Sequence, residues 1–267
     1  MSYLNREIHP PYTKGNQKMT DKRPDPKPRK NPHLWQTYLF WNELVEVRKR
    51  HNLRISSIEA GKSNLDAQIE KDFMTDMQAD NLIDTTKKMM VREGKALGQV
   101  WDWITSIRGL KEGSLAAQLL AQIDDIGKFD TVSKLWRFSG QAVIDGVAER
   151  NAKGEKSHYN RKLKSICWLV VDQFIKQQTP LYVDIYYAEK LRLRTLYPTP
   201  IENPRKDSRW PQAFTDSHVH RMAMRKVAKI FLQHIWVVWR TYEGLPISEP
   251  YVQAILKHTD IIPPPNM

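Results

Sequence analysis

The chain has 267 residues, a formal net charge of +12 and an isoelectric point near 9.6. That length supports one or two domains, and 40% hydrophobic residues with nine tryptophans exclude a chain without a packed core. The single cysteine, Cys167, excludes an intrachain disulfide, no apolar run approaches the ~20 residues of a membrane span, and the surplus of Lys and Arg points to polyanionic partners.

Residues 1–33 carry Pro10, Pro11, Pro24, Pro26, Pro28 and Pro32 among many charges. Proline continues neither a helix nor a ladder, so a disordered basic arm is expected, with "PKPRK" as part of a solvated tail. The first residues, "MSYLNREIHPPYTKG", lack an apolar signal core, so an intracellular protein is expected. Leu34, Tyr38, Trp41 and Val45 then recur at spacings of four, three and four, the mark of one helical face. Gly61, with Ser63 and Asn64, interrupts that helix. A second helical segment is expected from about Leu65 to Trp103, with Ile69, Phe73 and Met77 as its apolar positions and Gly94 and Gly98 weakening its end. Residues 34–103 therefore read as a long, polar stalk. Such helices either fold on one another within one molecule or pair with a second copy.

The stretch "ITSIRGLKEGSLAAQLLAQIDDIGKF", residues 104–129, reads as a helix end, a glycine-bearing hairpin and an Ala- and Leu-rich helix. Asp130 and Thr131 can cap a short helix that Gly140 stops after Phe138. A charged, glycine-bearing loop follows. It leads into "RKLKSICWLVVDQFIK", whose Leu163, Ile166, Cys167, Val170 and Phe174 share one face. Thr179 and Pro180 suggest the N-cap and first residue of a helix running to about Arg194. Pro198, Pro200, Pro204 and Pro211 make 195–217 an irregular excursion. "HRMAMRKVAKIFLQHIWVVWRTYE" is the most hydrophobic helix, and one short helix is expected in the tail. Strand signals are almost absent, so the fold is expected to be all-α.

Three basic groups are candidates for phosphate contact. In the hairpin, Gly109 and Gly113 tolerate positive φ, and the N–H groups from Ser114 onward can donate to a phosphate oxygen with help from the helix dipole. Arg108 and Lys111 flank that site. The second group is Lys153, Lys156, Arg161, Lys162 and Lys164, interleaved with Tyr159 and Asn160. The third is Arg221, Arg225 and Lys229, spaced by four and so on one helix face, with Val227, Phe231 and Ile235 on the reverse. An ordinary turn and solvated charged faces would explain each group alone. Their recurrence on one chain favours nucleic acid.

Enzymatic signals are thin. His218 and His220 match a short metal-ligand spacing with no cysteine or carboxylate pair beside them. His234 and His258 stand alone, Asp124 and Asp125 point to different faces of a helix end, and Ser139 has no base beside it in sequence. Gly-rich nucleotide motifs are missing, and no cofactor or metal is expected.

The stretch "SIRGLKEGSLAAQLLAQIDDIGKFDTVSKLWRFSG" resembles the C-terminal transposase domain of insertion-sequence recombinases that pair a DEDD nuclease-like domain with a catalytic serine and are guided by a bridge RNA. The matching positions are Gly109, Leu110, Ala116, Ala117, Leu119, Leu120, Asp125, Phe129, Lys134, Leu135 and Gly140. "NRKLKSICWLVV", through Asn160, Arg161 and Leu163, and "RMAMRKVAKIFLQHIW", through Ala223, Arg225 and Lys226, are similar to two later family helices. The helices from Leu34 look like the family's inter-domain coiled coil. The hairpin is one residue longer between its glycines than the family pattern. The place of the nuclease-like domain is taken by the basic arm, and the interval that holds the family serine contains Ser157 alone, with Asp145–Gly146 near the expected spot.

The resemblance implies a helix–hairpin–helix DNA-binding domain, spanning 104–267, that holds the DNA backbone during transposition or recombination without cutting on its own. It also implies a homodimer through the long helices, a nuclease-like partner in trans, structured RNA as a second ligand, a cytoplasmic, nucleoid-associated location and no membrane. Two other readings stand beside it. One is a diverged active transposase whose nucleophile has moved to Ser139 or Ser157. The other is a helical assembly protein whose charge serves solubility.

Overall fold

Helices build this protein, and the fold is all-α. The computed structural model describes residues 28–144, 147–148, 154, 157–198, 215–247 and 262–266. Lys153, Lys156, Asp145–Gly146, most of the 195–217 excursion and the short helix expected in the tail lie outside them. In chain order the helices are α1 (Pro32–Glu59), α2 (Ala67–Asp76), α3 (Ala79–Lys95), α4 (Gln99–Ser106), α5 (Ser114–Ile123), α6 (Val132–Phe138), α7 (Arg161–Lys176), α8 (Tyr182–Leu196) and α9 (Asp216–Tyr242). A 3-10 turn, Ile126–Lys128, links α5 to α6. Between α6 and α7, β1 (Val143–Ile144) pairs antiparallel with β2 (Val147–Ala148), two residues each.

The final residues of the expected arm are ordered. Pro32 opens α1, where its missing N–H is no loss. Asn31 donates through its backbone N–H (3.2 Å) and its carboxamide (2.5 Å) to Asp124, and the Arg29 guanidinium lies 3.5 Å above the Trp35 ring. The Asp124 carboxylate, 2% exposed, draws in donors because a buried charge without partners is costly.

The segment expected as one helix from Leu65 to Trp103 is three. Gln78, at φ +48°, separates α2 from α3, and Gly98, at φ +57°, separates α3 from α4. These bends let α3 lie along both α1 and α5 while α4 turns into the core. Leu34 and Tyr38 of α1 and Met90 of α3 belong to the same apolar cluster as α5, α7 and α9, so α1 and α3 share the core of the remainder. Within the stalk, His51 bonds Glu70 and stacks on Phe73 with centroids 5.0 Å apart.

The core is organised by α9, which touches α4, α6, α7 and α8. Phe174 and Tyr182 stack at 4.5 Å, and Phe231 meets both edge-on at 5.1 and 5.5 Å. Trp236, fully buried, donates its indole N–H to the Phe129 carbonyl at 2.7 Å. Arg240, 5% exposed, donates to the carbonyls of Phe129 (3.1 Å) and Pro246 (2.8 Å), the pairing that a buried guanidinium requires. Cys167 is buried in α7, and burial pushes its thiol up to about 12, so it behaves as a small apolar side chain.

The last described residues return to the core. The Ile262 carbonyl accepts from His234 Nε2 at 2.9 Å, the Pro265 carbonyl from the Trp103 indole at 2.8 Å, and Asn266 donates to the Ser106 hydroxyl at 3.2 Å. Because Nε2 of His234 faces a carbonyl, it carries the proton, and Nδ1 accepts from the Tyr182 hydroxyl at 2.9 Å. Burial lowers the His234 pKa below the ordinary 6.5, against the raising effect of the Ile262 carbonyl. The folded state therefore binds fewer protons than the unfolded one. The stability this contributes is complete above about pH 6.5 and is lost as pH falls below it. Thermal unfolding followed from pH 7.5 to 5 is expected to show a falling midpoint, and His234→Gln should flatten that slope.

Candidate nucleic-acid interface

The turn between α4 and α5 is held by apolar anchors and glycines. Ile107 and Leu110 are buried, and two successive turns close through Leu110 N–H to the Ile107 carbonyl (3.0 Å) and Gly113 N–H to the Leu110 carbonyl (2.9 Å). Gly109 and Gly113 sit at φ +94° and +75°. A Cβ on Gly113 would lie 2.7 Å from the Trp101 indole, and one on Gly94 of α3 would lie 2.3 Å from the same ring. Trp101 thus fills the space that both glycines leave, clamping α3 to the turn. The space at Gly113 is taken from within.

On the other side, Thr179 donates its hydroxyl to the Arg108 carbonyl at 2.8 Å. This explains why α8 starts at Tyr182 rather than at Pro180: the turn has taken up the Thr179 side chain. The Asp184 carboxylate accepts from the Leu181 N–H at 3.2 Å and steadies the later helix start.

α5 begins at Gly113 without a side-chain cap, so its first N–H groups keep their donor capacity. They border a groove of about 710 Å³ whose walls include Lys87 of α3, Arg108 and Lys111 of the turn, Gln118 of α5, and Gln173 and Gln177 at the end of α7. Glu112 is its one carboxylate among the described residues. Several basic side chains elsewhere are ion-paired, among them Arg48 with Asp80, Lys128 with Asp124 and Lys226 with Glu189, whereas others such as Lys88 and Lys95 are not paired with another described residue. Lys87, Arg108 and Lys111 form no ion pair with another described residue. Lys87 escaped the sequence reading because nothing local marks it. It lies on a stalk helix and reaches the groove only because α3 packs along α5.

The second group is arranged differently. Asn160 caps α7, its Oδ1 accepting from Leu163 N–H at 3.0 Å while its Nδ2 donates to Gln122 at 2.7 Å. Lys162 ties α7 to α1 through Glu46 (3.1 Å) and Asn42 (3.2 Å), and the Lys164 ammonium lies 4.3 Å over the Tyr159 ring. Arg161 is exposed. These residues start α7, whereas Gln173 and Gln177 mark its end, so about 14–24 Å of helix separates them from the two glutamines.

The third group is split. Steps of four residues advance about 40° beyond a full turn, so the stripe rotates toward α6. Arg221 is exposed, Arg225 is half-buried, and the Lys229 ammonium rests 4.2 Å above the Trp136 ring. Burial, followed by the nearby Arg225, lowers the Lys229 pKa.

The serines considered as nucleophiles are engaged with backbone. Ser139 is fully buried and donates to the Trp136 carbonyl at 3.0 Å, and Ser157 donates to the Tyr159 carbonyl at 2.9 Å. His220 pairs with the Tyr186 hydroxyl at 2.7 Å, and its pKa is lowered by burial and then by Lys190 and Arg221. Asp125 accepts from the Gly127 N–H at 2.9 Å, as a cap. Among the described residues no group of three His, Cys, Asp or Glu side chains is placed to hold a metal ion, and no helix is long and apolar enough to cross a membrane. Comparison with protein-family models, curated proteins and solved structures finds no match to this chain.

Proposed function

We propose that this chain is a transposase-like DNA-binding protein of a mobile genetic element, which grips the DNA backbone during transposition or recombination and does not cut alone. The observation that carries the reading is the groove at the start of α5. Three cations from two separate elements converge there on an uncapped helix N-terminus, without carboxylate partners of their own. Backbone N–H groups with flanking Arg and Lys suit a phosphodiester and carry no base preference. Arg161 and Lys164, at the start of α7, add further positive charge for a polyanionic ligand. The resemblance of residues 104–174 to bridge-RNA-guided recombinases supports the same reading and makes structured RNA a second ligand. It also implies that a nuclease-like domain acts in trans.

The test is a titration of a 30-base-pair duplex across 50–300 mM salt. Log K should fall against log salt with a slope of at least about −2.7, from 0.9 for each of three cations. Absence of binding, or affinity indifferent to salt, overturns the reading.

Pairing with a second copy through the long helices belongs to the same proposal. α2 buries none of its residues, and Ile69, Phe73 and Met77, spaced by four, are 68%, 46% and 41% exposed. Leu65 extends the row at 58%. Continuous apolar surface of this kind marks an interaction site. Ile69→Asp should leave the circular dichroism spectrum unchanged and weaken self-association about 100-fold in sedimentation, since each copy places a charge in the buried face. A wild-type chain that sediments as a monomer at all concentrations sinks this part alone.

A further inference from the structure

The groove beside the turn holds more than cations. Its far wall is the last turn of α7, where Gln173 and Gln177, four residues apart, share one face. Gln173 is half-buried and Gln177 exposed, and neither carboxamide hydrogen-bonds to another described residue. A carboxamide offers paired donor and acceptor groups, which a phosphate, an acceptor only, cannot use fully. A site built for phosphate alone has no need of two.

Their position is fixed relative to the turn. Thr179, just past α7, bonds the Arg108 carbonyl at 2.8 Å, and a Cβ on Gly109 would lie 3.6 Å from the Gln173 Cβ. The turn and the end of α7 are therefore in register, so a strand whose phosphate lies at Arg108, Lys111 and the start of α5 presents its neighbouring base beside the stretch of α7 that carries the carboxamides. Both carboxamides, unbonded among the described residues, keep their donors and acceptors for an incoming base.

We infer that Gln173 and Gln177 read a base edge next to the phosphate held by the turn, and that the base is adenine. Glutamine matches the adenine N7 acceptor and N6 donor with two parallel hydrogen bonds, whereas guanine offers two acceptors on that edge. The inference rests on the proposed nucleic-acid function of this groove. It adds a sequence preference to a backbone contact that supplies none.

The test uses the full chain and a pool of 30-base-pair duplexes randomised at their central positions, with bound fractions sequenced over successive rounds. The wild type should enrich adenine at one position about 10-fold over guanine. Gln173→Ala/Gln177→Ala should bind the unselected pool with the same salt slope and lose the enrichment. Arg108→Ala/Lys111→Ala should lose affinity and salt slope instead. A wild type that binds without enrichment, or a double glutamine variant that enriches the same base, overturns the inference and leaves the backbone reading standing. A pool retained by no protein overturns both. Repeating the selection with a single-stranded RNA pool separates the ligands, and enrichment there but not on duplex DNA counts against the DNA edge.

Discussion

Replacing Lys87, Arg108 and Lys111 together with alanine is expected to weaken duplex binding about 500-fold at 0.1 M salt. Each lysine or arginine that neutralises a phosphate releases about 0.9 counterion, which at 0.1 M is worth roughly eight-fold in affinity. Three such contacts multiply to ~500-fold, and the slope of log K on log salt should become shallower by about 2.7. All three side chains line the groove at the start of α5. Arg108 and Lys111 are exposed, Lys87 is half-buried and none belongs to the apolar cluster, so the variant should unfold within a few degrees of the wild type. Lys87→Ala alone is the sharper measurement. Lys87 stands apart from the turn in sequence and enters the groove only through the packing of α3. If Lys87→Ala behaves like the wild type while Arg108→Ala/Lys111→Ala is impaired, the phosphate lies on the turn alone and the groove is not the site.

Gly113→Ala is expected to lower the thermal midpoint by about 10 °C. Its φ of +75° penalises an L side chain by about 1–2 kcal/mol. The added methyl would also sit 2.7 Å from the Trp101 ring, and overpacking of that kind costs about 1–3 kcal/mol. In a protein of this size each kcal/mol corresponds to about 2–4 °C. Gly109→Ala is the control. It shares the left-handed backbone, at φ +94°, but its Cβ would meet Thr179 at 3.5 Å and Gln173 at 3.6 Å, ordinary contact distances. It should lose roughly half as much. Trp101→Phe in the Gly113→Ala background should recover part of the loss, because the smaller ring vacates the contested space. Equal effects of the two glycine substitutions would show that strain alone, without the Trp101 clamp, governs the turn.

Much of the fold was legible because it is written at short range. The α7 sequence "RKLKSICWLVVDQFIK" places Leu163, Ile166, Cys167, Val170 and Phe174 on one face, and all five are buried. Thr131 and Gly140 bracket α6 as expected, Gly140 through its left-handed backbone, although the Thr131 side chain makes no capping hydrogen bond. Val227, Phe231 and Ile235 line the inner face of α9. Periodicity is a property of neighbouring residues, and so it survives without knowledge of what the face packs against.

What failed to read out depends on contacts between distant residues. The bend at Gln78 carries no glycine to announce it, since a helix bends there to follow α1 and α5. Thr179 looked like an N-cap because threonine usually serves there, and only the approach of the α4–α5 turn shows its other use. Asn160 and Lys229 stood among candidate phosphate ligands by composition. Tertiary packing assigns Asn160 to Gln122 and the α7 cap, and Lys229 to the Trp136 ring.

The sequence by itself determined the all-α class, most helix positions, the glycine-bearing turn with Arg108 and Lys111, and a surplus of positive charge. Tertiary structure alone decided which charges meet. It brought Lys87, Gln173 and Gln177 to the turn and set Arg161 a helix length away. The reason is physical: backbone propensity acts over a few residues, whereas a binding groove is a concave meeting of elements that the chain separates by tens of residues. No local pattern encodes the distance across it.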